Sequence, residues 1–362
     1  MRPRDRMLAT LQRKPVDRIP SFDGFYNLEA EKKFAPQFAG LKSYGTMPAL
    51  REGTPEERIA KLQFMDCDIA EVGTGRMRIH VLRENTEEMV FEYENGAVWR
   101  LDKKTSQTEA VSLPLESKRD PTSVNMPDPD DPERYEGLEQ MTTYFREGGY
   151  FTLAKIHGVF SGAWYFFRPL DQFFMDMIDD PGYVHAIVDY IGEYNYRAAR
   201  QLLKHGVDCI FLGDDMGSST GLLFSPKAYT EFFQGWHTRI AKLCHEHGGY
   251  FQIHSHGDIN RIMPQLMDTG VDILHPVGPT DNMDLESLLK QYGQRTVFSG
   301  GISKWIGEMT REELADHLEE VISIGKRHGS YIFCGEGGIP PTMSREMFQF
   351  YMETSRRLRT MD

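Results

Sequence analysis

Through the last two thirds of the chain, short apolar runs alternate with longer segments whose apolar residues fall at three- and four-residue intervals. The runs at 150–154, 207–212, 250–253, 271–274, 295–298 and 331–333 read as buried strands, and segments 182–204, 226–247, 258–267, 283–291 and 311–327 as amphipathic helices. Several helices close on a glycine just before the next strand, at Gly206, Gly248, Gly270 and Gly329. Strand, helix and glycine repeating in that order predict an α/β fold with a parallel sheet and crossover helices. The number of units favours a closed (β/α)8 TIM barrel over an open sheet.

The first third has a different period. Asp17 to Phe22 reads as an extended segment after an N-terminal helix, and Thr54-Pro55-Glu56-Glu57 carries the cap, proline and acidic first turn of a helix start. Residues 77–82, 89–93 and 97–101 read as strands, with Asn95-Gly96 as a hairpin signal. The segment 70–115 is therefore expected to be a small antiparallel β insertion in one barrel spanning 1–362, with residues before it as an N-terminal extension. Proline, aspartate and serine between 117 and 133 mark a surface connection.

Polar or glycine-rich residues follow each strand of the regular part: Lys155 and His157, then Gly213-Asp214-Asp215, His254 and His256, His275, Ser299-Gly300-Gly301, and Cys334-Gly335-Glu336. Barrel enzymes build their sites on this C-terminal face of the sheet. His254-Ser255-His256 is the sharpest signal, because strand side chains alternate with period two and two imidazoles at one strand end point the same way. That is metal-ligand spacing. Hydrogen bonding to the backbone or to a substrate anion is the competing role.

Composition narrows the partners. A net charge of -13 over 362 residues leaves no concentrated basic face for nucleic acid, and the short arginine runs at 2–6 and 356–359 read as solvated helix faces. Cys67, Cys209, Cys244 and Cys334 are scattered and form no disulfide framework. Nothing reads as a signal peptide or a membrane span, so a soluble cytoplasmic protein is expected.

Several segments together resemble the uroporphyrinogen decarboxylase-like superfamily. They are Arg13-Lys14-Pro15-Val16-Asp17-Arg18-Ile19-Pro20, Gly213-Asp214-Asp215-Met216-Gly217, Ser225-Pro226-Lys227-Ala228-Tyr229, His254-Ser255-His256-Gly257, Asp272-Ile273-Leu274-His275-Pro276 and Gly337-Gly338-Ile339-Pro340-Pro341. The resemblance covers nearly the whole chain and is to the corrinoid-dependent methyltransferase branch, of the O-demethylase type. It implies zinc held by His254, His256 and either Cys334 or Glu336, and a corrinoid delivered by a partner protein, since no Asp-x-His-x-x-Gly motif occurs here. Relatives acting on thiols carry cysteine where His256 stands. Imidazole there makes a harder site and turns the expectation towards ethers.

The resemblance implies that a small, methoxylated aromatic donor passes its methyl group to cobalt, with a Lewis acid easing departure of the oxygen. His275, Asp214 and Asp215 are the expected catalytic groups, the two aspartates orienting a ligand imidazole or protonating the product. Helix capping is the competing role, weighed more heavily for Asp215 than for Asp214. Asp23, Tyr26, His157, Phe160 and Trp164 are expected around the substrate. The haem-pathway decarboxylase fits less well, because Ser21-Phe22-Asp23-Gly24-Phe25-Tyr26-Asn27 replaces its arginine-rich grip on propionates, leaving Arg168 to pair at most one carboxylate. A metal-free decarboxylase using His254 and His256 as acid and base, or a non-catalytic corrinoid-binding protein, are the alternatives.

Overall fold

The computed structural model describes residues 1–41, 53–103, 105 and 107–361. Its strands are β1 (Ile69–Thr74), β2 (Ile79–Glu84), β3 (Glu88–Tyr93), β4 (Val98–Asp102), β5 (Thr108–Ser112), β6 (Phe151–His157), β7 (Cys209–Gly213), the two-residue β8 (Gly217–Ser218) and β9 (Gly221–Leu222), β10 (Tyr250–His254), β11 (Ile273–Val277), β12 (Val297–Ile302) and β13 (Tyr331–Gly335). Seven of them form a parallel sheet in the order β1-β6-β7-β10-β11-β12-β13. Residues 20–22 connect its edges. The amide of Phe22 donates to the carbonyl of Phe333 on β13, and the carbonyl of Ser21 accepts from the amide of Asp68 at the start of β1.

The crossover helices lie where the apolar periodicity puts them, including Pro181–Lys204, Leu285–Tyr292 and Arg311–His328. The 226–247 segment contains a π turn at Tyr229–Phe233 before its main helix, Gln234–Glu246. One boundary moves. Residues 69–74, partly assigned above to the insertion, pair in parallel with β6 and belong to the main sheet. The antiparallel sheet is β2-β3-β4-β5 and spans 79–112, with residues 104 and 106 outside the described residues. The misreading has a simple cause, since the apolar run of β1 (Ile-Ala-Glu-Val-Gly-Thr) is broken by Glu71 and Gly73.

Inside the main sheet, alternation buries Ile69, Phe151, Leu153, Cys209, Ile273, Val297 and Ile332 together with Met7 and Leu11 of helix Pro3–Leu11. That helix closes the end of the sheet where the strands begin. The terminal arginines are not all solvated as expected: Arg6 and Arg359 are buried, Arg6 against Asp17 and Asp68, Arg359 against Asp66. An arginine stem covers apolar surface and its fork satisfies carboxylates, so helix ends rich in arginine can cap a sheet.

Candidate active site

At the opposite end of the sheet a cavity of about 1570 Å³ opens over the strand C-termini. Its floor follows from strand register. His254 and His275 are direct partners across β10 and β11, and their Nδ1 atoms lie 2.8 Å apart. The Nε2 of His275 is 3.4 Å from the Cys334 thiol, and the Nε2 of His254 is 3.4 Å from Asp215 Oδ1. Asp215, His254, His275 and Cys334 thus form a continuous row of proton-carrying groups. Burial drives both imidazoles well below their ordinary pKa, reinforced at His254 by His256 and Lys155 and at His275 by His254 and His256. The two are neutral, so one Nδ1 donates to the other. Burial raises the Cys334 thiol, which donates to the carbonyl of Phe22 at 2.8 Å.

His256 stands edge-on to His254, ring centres 4.8 Å apart, and its Nδ1 lies 3.5 Å from Asp281. Burial opposes its charge, but the bond to Asp281 and the charges of Asp215 and Asp281 outweigh it, so its pKa is raised. The bond to His256 holds Asp281 low. Asp281 carries no motif and was invisible to sequence reasoning.

The two consecutive aspartates separate. Asp214 is fully buried and accepts from the amides of Val159, Phe160 and Ser161, opening helix Phe160–Phe166, and from His237 Nε2 at 2.9 Å. Expected as a catalytic group, its carboxylate is taken up by these contacts and does not line the cavity. Asp215 faces the cavity, accepts from the His256 amide at 2.9 Å, and has its pKa raised, first by desolvation within the cleft. The capping preference assumed from sequence is reversed, because the capped helix follows β6 rather than β7.

The predicted zinc set does not assemble. Both oxygens of Glu336 are taken up, one by the Thr280 hydroxyl at 2.6 Å and the Lys304 amide at 3.0 Å, the other by the Thr280 amide at 3.3 Å. Cys334 reaches His275, not His256. Among the described residues no three histidine, cysteine, aspartate or glutamate side chains converge to hold a metal ion.

The expected substrate residues divide similarly. Tyr26 is exposed at the cavity rim and Trp164 lines its side. His157 borders the cavity, but its Nε2 accepts from the Met77 amide at 2.8 Å and burial keeps it neutral. Asp23 accepts from Tyr351 at 2.6 Å, Gly24 at 3.0 Å and Gly335 at 3.2 Å, tying the N-terminal segment to β13. Phe160 is fully buried among Phe173, Phe224 and Phe233 and does not line the cavity. Arg168 is committed to Asp176 at 2.8 Å and to the carbonyls of Leu115 and Glu116.

The antiparallel sheet forms the other wall. Trp99 stacks on Tyr165 at 3.8 Å with the planes 8° apart, its indole donates to the Tyr165 carbonyl, and Asn95 donates to the carbonyl of Phe166. These contacts hold β3 and β4 against the helix after β6 and bring Tyr93 and Ile79 to the cavity beside Tyr165, Phe166 and Trp164.

Reactive groups gathered at the C-terminal end of a parallel sheet, beneath an open cavity and beside an aromatic wall, define the fold of an enzyme family. The chain belongs to the uroporphyrinogen decarboxylase (URO-D) family, whose model matches residues 100–358. A methyltransferase from Methanosarcina mazei has the same fold, with a TM-score of 0.69 and 16% sequence identity over 99% of each chain. A B12-independent methionine synthase from Shewanella sp. W3-18-1 gives a TM-score of 0.49 and 10% identity over 94% of each chain. No curated protein matches the sequence. No helix among the described residues is long and apolar enough to cross a membrane.

Proposed function

We propose that this protein moves a methyl group from a small methoxylated aromatic compound to the cobalt of a separate corrinoid protein, on a single (β/α)8 barrel in which residues 19–22 supply the eighth position. The cavity carries this reading. Its volume of about 1570 Å³ exceeds the roughly 300–1,000 Å³ of a site for one small ligand, and so leaves space for two reactants. An aromatic donor fits against Tyr93, Tyr165 and Trp164, and the mouth admits a cofactor carried by another protein. Family membership and the fold shared with a methyltransferase support the same reading.

The corrinoid supplies the cobalt(I) nucleophile. As the methyl–oxygen bond breaks, the oxygen keeps the electron pair and must take a proton. Asp215, whose pKa is raised from the ordinary carboxyl value, is the carboxyl placed to deliver it at the cavity floor, and His254 beside it orients that carboxyl. His275 and Cys334 fix the His254 ring from behind.

The volume also suits a tetrapyrrole, the substrate of the decarboxylases in this family. A substrate with eight carboxylates would require many free cations, yet Lys155 is paired with Glu71 at 2.6 Å and Arg134 with Glu94 at 2.8 Å, which leaves Arg76 and Arg78 as the lining cations without an acid partner among the described residues, and Asp23 lies nearby. Methyl transfer is the better match. Mixing cobalt(I) corrinoid protein with this chain and a panel of methoxyarenes should give the methyl-cobalt(III) spectrum. Carbon dioxide release from a carboxylated substrate, with cobalt unchanged across the panel, would overturn the reading.

A further inference from the structure

Among the described residues two arginines lining the cavity have no acid partner: Arg78, exposed, whose fork donates to the Glu133 carbonyl at 2.9 Å, and Arg76, whose fork is free. Arg76 leaves β1 at the foot of the antiparallel sheet and lines the cavity between Tyr93, Tyr165 and Asp215. Its backbone is pinned at both ends, the amide to Thr74 Oγ1 at 3.0 Å and the carbonyl by Arg134 at 3.2 Å. Its Nε donates to the carbonyl of Ile156 at 3.2 Å. Among the described residues neither terminal nitrogen has a hydrogen-bond partner, and no carboxylate lies within ion-pair distance. Lys155 and Arg134, the other two cations lining the cavity besides Arg78, are each paired with a glutamate. The neighbouring strand also makes room: a Cβ on Gly213 would sit 3.2 Å from an Arg76 terminal nitrogen, closer than side chains normally approach. A guanidinium held at Nε, with its fork free and a glycine opposite, is built to take two oxygens in one plane.

We propose that Arg76 anchors the carboxylate of the substrate, so that the methyl donor is an aromatic acid, a methoxybenzoate rather than a neutral methoxyarene. The inference rests on the proposed reaction for the identity of the donor, but not for the anchoring itself. A partly buried cation without a counter-ion is unfavourable in the empty protein, and an anion entering the cavity relieves that cost. The ring of the acid then lies on the aromatic wall. The carboxylate fixes its orientation, presenting the methoxy group to the floor.

The test is calorimetric titration of the full chain, without corrinoid, using 3-methoxybenzoate, 3-methoxybenzamide and 3-hydroxybenzoate. The two acids should bind at least about tenfold more tightly than the amide, the worth of one charge-assisted contact. Arg76→Gln should bring acid and amide within about twofold while leaving amide affinity unchanged. Gly213→Ala, which crowds the fork without removing the charge, should weaken the acids severalfold and spare the amide, and it decides the matter if Arg76→Gln fails to fold. Equal binding of acid and amide by the unmodified chain, binding of none of the three, or retained acid preference in a folded Arg76→Gln protein would each overturn the anchor. Because 3-hydroxybenzoate has no methyl group to give, its preference over the amide is read whether or not cobalt is methylated, and failure of the reaction is thereby separated from failure of the anchor.

Discussion

The two ends of the parallel sheet use the same residue types in opposite ways. Where the strands begin, charges are paired: Arg4 with Asp208 at 2.8 Å, Arg6 with Asp17 and Asp68, Arg18 with Asp68 at 3.1 Å, Arg359 with Asp66, and His245 with Asp272 at 2.8 Å. Where the strands end, His254 faces His275, Asp215 faces the cavity, and the fork of Arg76 is free. Pairing consumes a charge and yields a fixed geometry. Leaving the group unpaired costs stability and yields a site that can act on something else. If that contrast is right, mutations at the two ends should separate cleanly into those that unfold the chain and those that silence it.

The largest effect is expected at the floor. His254→Ala breaks the row between Asp215 and His275, and cobalt methylation should fall about 10³-fold, within the range of a lost acid–base group. Its melting temperature should stay near that of the unmodified chain, since the polar contacts of the ring among the described residues are another neutral imidazole and the half-exposed Asp215 carboxyl. A variant that keeps full activity would remove His254 from the mechanism.

The opposite result is expected at the other end. Arg6→Ala takes one of two arginines from Asp68, which is fully buried and whose pKa is already raised by desolvation, leaving Arg18 as its cation, and should destabilise by about 3 kcal/mol, the low end for a broken buried pair. Activity per folded molecule should be unchanged. Chemical denaturation beside a turnover assay checks both, and a stable but inactive Arg6→Ala protein would break the division between the ends.

Asp214 and Asp215 test the contrast within two residues. Asp214→Asn keeps the shape but weakens charge-assisted bonds to three amides and His237, and should cost about 2 kcal/mol of stability. Asp215→Asn should leave stability alone and lower cobalt methylation about 10²-fold, at the low end for a proton donor. Interchanged phenotypes would restore the sequence-based assignment.

The regular half of the molecule was legible because its signals are periodic. Apolar runs with glycine stops gave most strands and helices, and period-two alternation put His254 at a strand end facing inward. What sequence did not show depends on contacts between distant segments. Nothing near Asp214 reveals that its carboxylate opens a helix 54 residues upstream, or that Glu336 turns towards Thr280. Arg76 escaped notice for a related reason: it lies in the 70–115 segment read as lying outside the barrel, whereas that segment is folded back as a cavity wall. Ring stacking between Trp99 and Tyr165 does this, and no local pattern announces it.

The smallest effect concerns pH. The hydrogen bond to Asp272 raises the pKa of His245 above its ordinary 6.5, against a weaker opposing effect of burial. The folded chain therefore holds this proton more tightly than the unfolded chain, so the stabilisation is fully present below about pH 6.5 and is lost as pH rises through the folded value. His254 and His275, whose pKa values are lowered, act in the reverse sense: the neutral rings favour folding above about pH 6.5, and that advantage is lost as acid protonates the unfolded chain first. His245→Gln isolates the first contribution. Because its side chain is 45% exposed, solvent screening limits the contribution to about 0.5 kcal/mol or less. Urea unfolding should show the unmodified chain ahead of His245→Gln by that margin near pH 5.5, and the two converging near pH 8.5. A gap that is constant with pH, or that widens on the alkaline side, would mean that the His245–Asp272 contact holds through geometry alone and that pairing at this end of the sheet is not electrostatic in the way argued.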